Sequence, residues 1–148
     1  MNYSRFAACL VLVVAVLLAC TVSEEEVEQV ELEIADSPIE VRVTARQMYD
    51  DYESNRIAAD QKYDGKVLAL SGTVSDFGGG DGQAYWVDLV TGDFTLENVR
   101  CHFSQSHLND IASLAKGDRV TLRGKGDEGE DRDPFTIDVV GCSILKGE

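Results

Sequence analysis

At 148 residues, 44% hydrophobic and 7% aromatic, the chain has room for one globular domain with a real core. Its 27 acidic residues against 13 basic ones give a formal net charge of -14. Binding along a phosphate backbone draws on clustered positive surface that releases counterions, so on this balance nucleic acid is not an expected partner.

The chain opens with MNYSRFAACLVLVVAVLLAC. Arg5 supplies a short positive region, and Phe6 to Ala19 is an unbroken apolar run, shorter than the roughly 20 residues of a bilayer span. The run ends in Leu17-Leu18-Ala19-Cys20, which resembles the lipobox of bacterial lipoproteins. That resemblance implies a signal peptide over residues 1–19, cleavage before Cys20, and acyl chains on Cys20 that hold the protein to a membrane. Thr21 stands where an aspartate often marks inner-membrane retention, so the implied location in a Gram-negative cell is the periplasmic face of the outer membrane.

Cys9 then leaves with the leader and Cys20 carries lipid, leaving Cys101 and Cys142 for the folded part. Exported domains live where disulfides form. Two cysteines in different strand-like runs suggest one bridge, provided the strands bring their Cα atoms within about 4.4–6.8 Å. Two inert buried thiols are the alternative, and a redox pair lacks the Cys-x-x-Cys that usually carries it.

Residues 20–43 read as an acidic tether, on Glu24-Glu25-Glu26 and the irregular run Val27 to Ile34, with a short edge strand possible in pattern through Ile39, Val41 and Val43. The folded domain is expected over residues 44–148. Thr44 and Gln47 fit a capping box, with Val43 and Met48 placed as a hydrophobic staple. A helix should follow, its stripe formed by Met48, Tyr52, Ala59 and Tyr63 and its end marked by Gly65.

Five strand-like runs come next. Lys66 to Val74 presents Leu68, Leu70 and Val74 on one face with Gly72. A glycine-rich loop, Asp76 to Gly82, leads to Gln83–Leu89, where Tyr85, Val87 and Leu89 alternate against Trp86 and Asp88. Leu96 to Phe103 puts Val99, Cys101 and Phe103 opposite Asn98, Arg100 and His102. A helix over Ser104 to Lys116 separates this run from Asp118–Gly124 and Phe135–Ile144, the last with a bend expected at Gly141. The fold class read from this order is mainly β with helices: an OB-fold, the five-stranded Greek-key barrel, with a preceding helix and a second helix between strands three and four.

The runs YDDYESNRIAADQKYDGKVLALSGTV, YWVDL, VRCHF, LAKGDRVTLRGKG and VVGCSIL together resemble the tRNA_anti-like family of small bacterial OB-fold proteins, over roughly residues 43–146. The resemblance implies the OB-fold and an exported or lipid-anchored protein. It supplies no catalytic residues.

For chemistry, the sequence offers little. The acidic loop of Asp127, Glu128, Glu130, Asp131 and Asp133 lacks the glycine and terminal glutamate of an EF-hand and carries Arg132 among its carboxylates. His102 and His107 beside Cys101 match no zinc-ligand spacing. No activated nucleophile or rigidly placed carboxylate pair is evident, so neither an enzyme nor a metal or other cofactor is expected. The OB surface that takes ligands is the face of strands two and three with its flanking loops. Here that nominates Phe77, Tyr85, Trp86, Arg100 and His102 as ligand-binding residues. The functional expectation is a non-catalytic binding or adaptor module for an envelope protein or cell-wall component, its partner an envelope protein or glycan. Its alternatives are a binder of single-stranded nucleic acid or oligosaccharide on the same face, and a structural accessory of an envelope complex.

Overall fold

The computed structural model describes residues 22–92, 98–127 and 136–146. The expected leader with Cys20, residues 93–97 with the start of the expected strand at Leu96, and the expected acidic loop beyond Asp127 lie outside these residues. Helix α1 (Glu24–Ile34) is followed by β1 (Val41–Thr44), α2 (Ala45–Ser54), α3 (Arg56–Tyr63), β2 (Val67–Gly80), β3 (Gln83–Val90) and β4 (Asn98–Phe103). A 3-10 turn (Gln105–His107), α4 (Leu108–Ala112), β5 (Arg119–Gly126) and β6 (Thr136–Ile144) complete the order.

The six strands form one sheet in the order β1-β2-β3-β4-β6-β5, with β2 and β5 also paired. This corrects the closed five-stranded Greek-key barrel expected from the strand count. Residues 41–44, where the sequence allowed a short edge strand through Val41 and Val43 at the end of the tether, are a sixth strand running parallel to Leu68–Ser71 of β2, and β4 and β6 form a second parallel pair. Alternation in a sequence sets the faces of a strand, but it does not name its partners.

Strand β2 holds the sheet together because its two halves face different neighbours. Val67–Thr73 pairs with β5, and Val74–Gly80 pairs with β3 across two register irregularities. Near the end of the first half sits Gly72, paired with Val120, where a Cβ would lie 3.0 Å from Leu89 Cδ1 and 3.3 Å from the Ala45 Cβ. The glycine therefore admits β3 and the start of α2 at close range. The segment read as a flexible loop is largely strand: the hairpin closes only at Asp81 (φ 58) and Gly82 (φ 85), two positive-φ residues of the kind tight β-hairpins favour.

Leu68, Leu70, Val74, Val87, Leu89, Val99, Leu122 and Val139 are all within 1% of complete burial. Each such side chain contributes about 1.5–3 kcal/mol relative to exposure. Cys101 and Cys142 lie in the same core and are joined by a disulfide with a Cα–Cα separation of 5.9 Å.

The expected single helix is two. Thr44 caps α2 by accepting the Gln47 N–H at 3.1 Å. Asn55 then breaks the run at φ -161 and caps α3 through the Ala58 N–H at 3.2 Å, a competition between side chain and backbone typical of asparagine. Tyr52 and Tyr63 stack with ring centroids 5.9 Å apart, and the Tyr63 hydroxyl donates to Asp51. Lys62 Nζ, 2.7 Å from the same carboxylate, and then the Tyr63 hydroxyl hold the Asp51 pKa below its ordinary value. The aromatic stripe thus packs the helices together. The second expected helix is also shorter, ending at Ala112.

Residues 24–34, expected to be part of a free tether, are an ordered helix. Ser23 caps α1 through the Glu26 N–H at 3.2 Å, and Val27 and Ile34 are buried. Val27 packs with Ala84 and Val140 in a second, small apolar cluster on the other side of the sheet from the main core.

The disulfide spans 41 residues of sequence, which in the chain-entropy model corresponds to about 4 kcal/mol and commonly to less in practice. Replacing Cys101 and Cys142 by alanine should lower unfolding stability by about 2–4 kcal/mol, read as a drop in the urea midpoint with the slope largely retained.

Candidate functional site on the outer face of strands β3 and β4

The antiparallel register of β3 and β4 pairs Tyr85 with Phe103, Trp86 with His102, Val87 with Cys101 and Asp88 with Arg100. Because side chains alternate, Val87, Leu89, Val99, Cys101 and Phe103 enter the core. Trp86, Asp88, Asn98, Arg100 and His102 stand on the opposite, outer face.

On that face the side chains form one connected arrangement. Asp88 is 4% exposed and accepts two hydrogen bonds from Arg100, Nε to Oδ1 at 2.7 Å and Nη2 to Oδ2 at 2.8 Å. Asn98 Nδ2 adds a third at 2.9 Å. A forked guanidinium–carboxylate pair of this kind fixes the plane of the arginine as well as its position. The fixed guanidinium carbon lies 4.1 Å from the centroid of the Trp86 ring.

Trp86 is seated from below by a glycine. Gly78 of β2 is its direct partner, and a Cβ there would approach Trp86 Cζ2 to 2.6 Å. Any side chain at position 78 would lift the indole off the sheet. Beside this layer, His102 Nε2 is 2.7 Å from Oδ1 of Asp138 on β6. At the margin, Asp76 takes Lys116 Nζ at 2.9 Å and the Phe77 N–H at 2.9 Å, which keep its pKa below the ordinary carboxylate range.

The five nominated residues therefore divide. Trp86, Arg100 and His102 share the outer face. Tyr85 points the other way and packs against the core. Phe77 pairs with Val87 and also falls on the face opposite Trp86, at the exposed end of β2 where it is 36% accessible. Sequence reasoning missed Asp88, Asn98, Gly78 and Asp138. Asp88 carried a readable signal, a carboxylate sharing the Trp86 face directly opposite an arginine. Asp138 carried none, because the parallel pairing of β6 with β4 has no local signature.

Among the described residues, no group of three or more His, Cys, Asp or Glu side chains is placed to hold a metal ion. The outer face thus carries an indole with a carboxylate-paired guanidinium 4.1 Å from its ring centroid.

This mainly-β sheet with helices is an OB-fold domain. The chain belongs to the tRNA_anti-like family, whose profile matches residues 1–137, and that membership supports a non-catalytic domain. No curated protein sequence matches it significantly. Among solved structures it is similar to a Klebsiella pneumoniae protein provisionally named a nucleic acid-binding lipoprotein, with 19% identity, a TM-score of 0.55, and coverage of 70% of this chain and 91% of the other. It is also similar to Entamoeba histolytica asparaginyl-tRNA synthetase, at 14% identity and TM-score 0.39, covering 55% of this chain and 21% of the enzyme. A third match is yeast Stn1 and Ten1, at 16% identity and TM-score 0.40, covering 72% of this chain and 63% of the other.

These relatives in fold include proteins named for nucleic acid or tRNA, against the expectation from charge that nucleic acid is not a partner. Net charge counts residues without placing them. Glu24, Glu25, Glu26, Glu28, Glu31 and Glu33 all belong to α1, and stacking does not need the positive field that phosphate binding does.

Arg100→Ala should leave the Asp88 carboxylate buried without its guanidinium and cost about 3 kcal/mol of stability. Asp88→Ala combined with Arg100→Ala should cost less than the sum of the two single changes, by about 1–3 kcal/mol, measured by urea unfolding as a double-mutant cycle.

Proposed function

We propose that the domain binds single-stranded nucleic acid by stacking bases on the Trp86–Arg100 layer. The observation that carries this reading is the guanidinium held bidentately by Asp88 at 4.1 Å over the Trp86 ring. Guanidinium planes and indoles are surfaces on which unpaired bases stack, each worth about 1–3 kcal/mol by alanine substitution. The arginine charge is already met by Asp88, so recognition rests on π-faces more than on phosphates. A strongly acidic chain is compatible with that mode, and the name of the Klebsiella pneumoniae fold relative supports it. His102, held by Asp138, borders the layer as a hydrogen-bonding neighbour. Phe77 lies at the strand end on the opposite face, where it would meet a strand only by wrapping the sheet edge, and Tyr85 serves the core. The envelope-adaptor reading has less behind it.

The protein works, on this reading, as an exported domain tethered by lipid on Cys20. The lipobox-like run before Cys20 supports the anchor, as does the lipoprotein name of the same relative. Among the described residues no helix is long and apolar enough to cross a membrane.

Fluorescein-labelled dT15 is expected to bind the full domain at low salt, with Trp86→Ala weakening binding by about 10-fold or more and with a shallow salt dependence. Chitohexaose in its place distinguishes the oligosaccharide alternative, since indoles also stack on sugar rings. Absence of dT15 binding at low salt would overturn the nucleic-acid reading. For the anchor, Cys20→Ser in the full-length protein is expected to move it from the detergent-extracted membrane fraction to the soluble one; unchanged partitioning would contradict lipidation at that residue.

A further inference from the structure

The outer face does not end at Trp86. Ala84 lies two residues before it on β3, Ser104 two residues beyond His102, and Val140 two residues beyond Asp138 on β6, so alternation continues the same surface. Helix α1 covers that continuation. Val27 is 0% exposed and packs with Ala84 and Val140. Gly141, at φ 67, lets the helix backbone come so near that a Cβ would lie 2.7 Å from Glu31 N.

Around this apolar seat, α1 and the turn after it act as the acceptor side. Glu24 accepts the Gln105 N–H. Glu31 accepts from Ser104 Oγ at 2.6 Å and lies 2.7 Å from His107 Nε2. Glu33 is 3.2 Å from Lys125 Nζ, and the carbonyls of Ile34 and Ser37 take the Arg123 guanidinium. The fit is incomplete: Glu24 Oε2 and Arg123 Nε are buried with no hydrogen-bond partner, a net cost for groups removed from water. Three carboxylates, with two main-chain carbonyls on Arg123, thus cover donors and cations that a row of phosphates would equally satisfy.

We propose that the surface beneath α1 is a phosphate-binding extension of the Trp86 platform, occupied in cis by the carboxylates of α1 until the phosphates of a bound single strand displace them. The proposal rests on the reading of Trp86 and Arg100 as a base-stacking layer. It assigns Arg123, Lys125, His107 and Ser104 to the backbone of the strand, and it gives the acidic helix the role of an internal competitor.

The test compares the full chain with Glu24→Gln/Glu31→Gln, which removes two seated carboxylates, and with Glu25→Gln/Glu28→Gln, which removes the same charge from exposed positions of the same helix. Titrated with fluorescein-labelled dT15, the seat variant should bind about tenfold tighter than wild type, and its log-log salt slope should steepen by roughly 0.7 for each further phosphate that the protein neutralises. The exposed-position variant should change affinity by no more than about twofold, the residue of a general charge effect. Equal gains in both variants would overturn the proposal. Independently of either variant, amide hydrogen exchange of Glu24–Ile34 in the wild-type protein should accelerate on dT15 binding; unchanged or slower exchange would also overturn it. If wild type binds dT15 through Trp86 and the seat variant binds no tighter, the competitor role alone falls. If neither binds at low salt, the stacking reading falls with it.

Discussion

The register between β3 and β4 is the constraint on which the molecule depends. With Val87 opposite Cys101 and Leu89 opposite Val99, one face of the pair becomes core. With Trp86 opposite His102 and Asp88 opposite Arg100, the other becomes a polar surface with an indole in it. A slip of one residue would exchange the two faces completely, burying Arg100 and Asp88 and exposing the core valines. The Cys101–Cys142 disulfide locks β4 to β6 inside the core, so the register that forms the site is tied covalently to the packing that stabilises the sheet.

From that constraint the properties of the outer face follow in sequence. Asp88 is almost excluded from water and needs a partner. Arg100 supplies it in the forked geometry that holds a guanidinium flat, and flatness over Trp86 makes a layered surface. Gly78 completes the seat by having no side chain. The charge of the pair cancels locally, which separates what this face can bind from what the net charge of the chain would predict. Helix α1 adds the opposite lesson. Its carboxylates are drawn to the cations and donors of the sheet, so the most acidic stretch is also the one that conceals Arg123 and Lys125.

Much of the core was readable from the sequence. Period-two alternation placed Leu68, Leu70, Val87, Cys101 and Phe103 correctly. The Thr44 cap was readable from its spacing to Gln47, and Cys101 and Cys142 from their strand positions. The pairings were not: the alternation of Val41 and Val43 allowed a short edge strand, but nothing in four residues names β2 as its parallel partner. Asn55 ends α2 by a local capping choice that the continuous stripe from Met48 to Tyr63 hides. The largest omission, α1 as a seated helix, has a physical cause: its apolar content is small and its docking comes from carboxylates meeting Ser104, His107, Lys125 and the Gln105 N–H, long-range contacts with no period. Part of the candidate site was legible for the matching reason. Trp86, Arg100 and His102 follow from parity within a strand, whereas Gly78 and Asp138 belong to neighbours whose register only the folded sheet defines.

The central claim is that a base stacks on the Trp86–Arg100 layer, and nitrogen-resolved NMR of the wild-type protein tests it most directly. On titration with dT15, the indole Nε1–H of Trp86 and the Nε–H of Arg100 should show the largest shift changes in the spectrum, with the Arg100 signal remaining in slow exchange with water because its bond to Asp88 persists. Large shifts confined to other residues, with these two signals unmoved, would contradict the account.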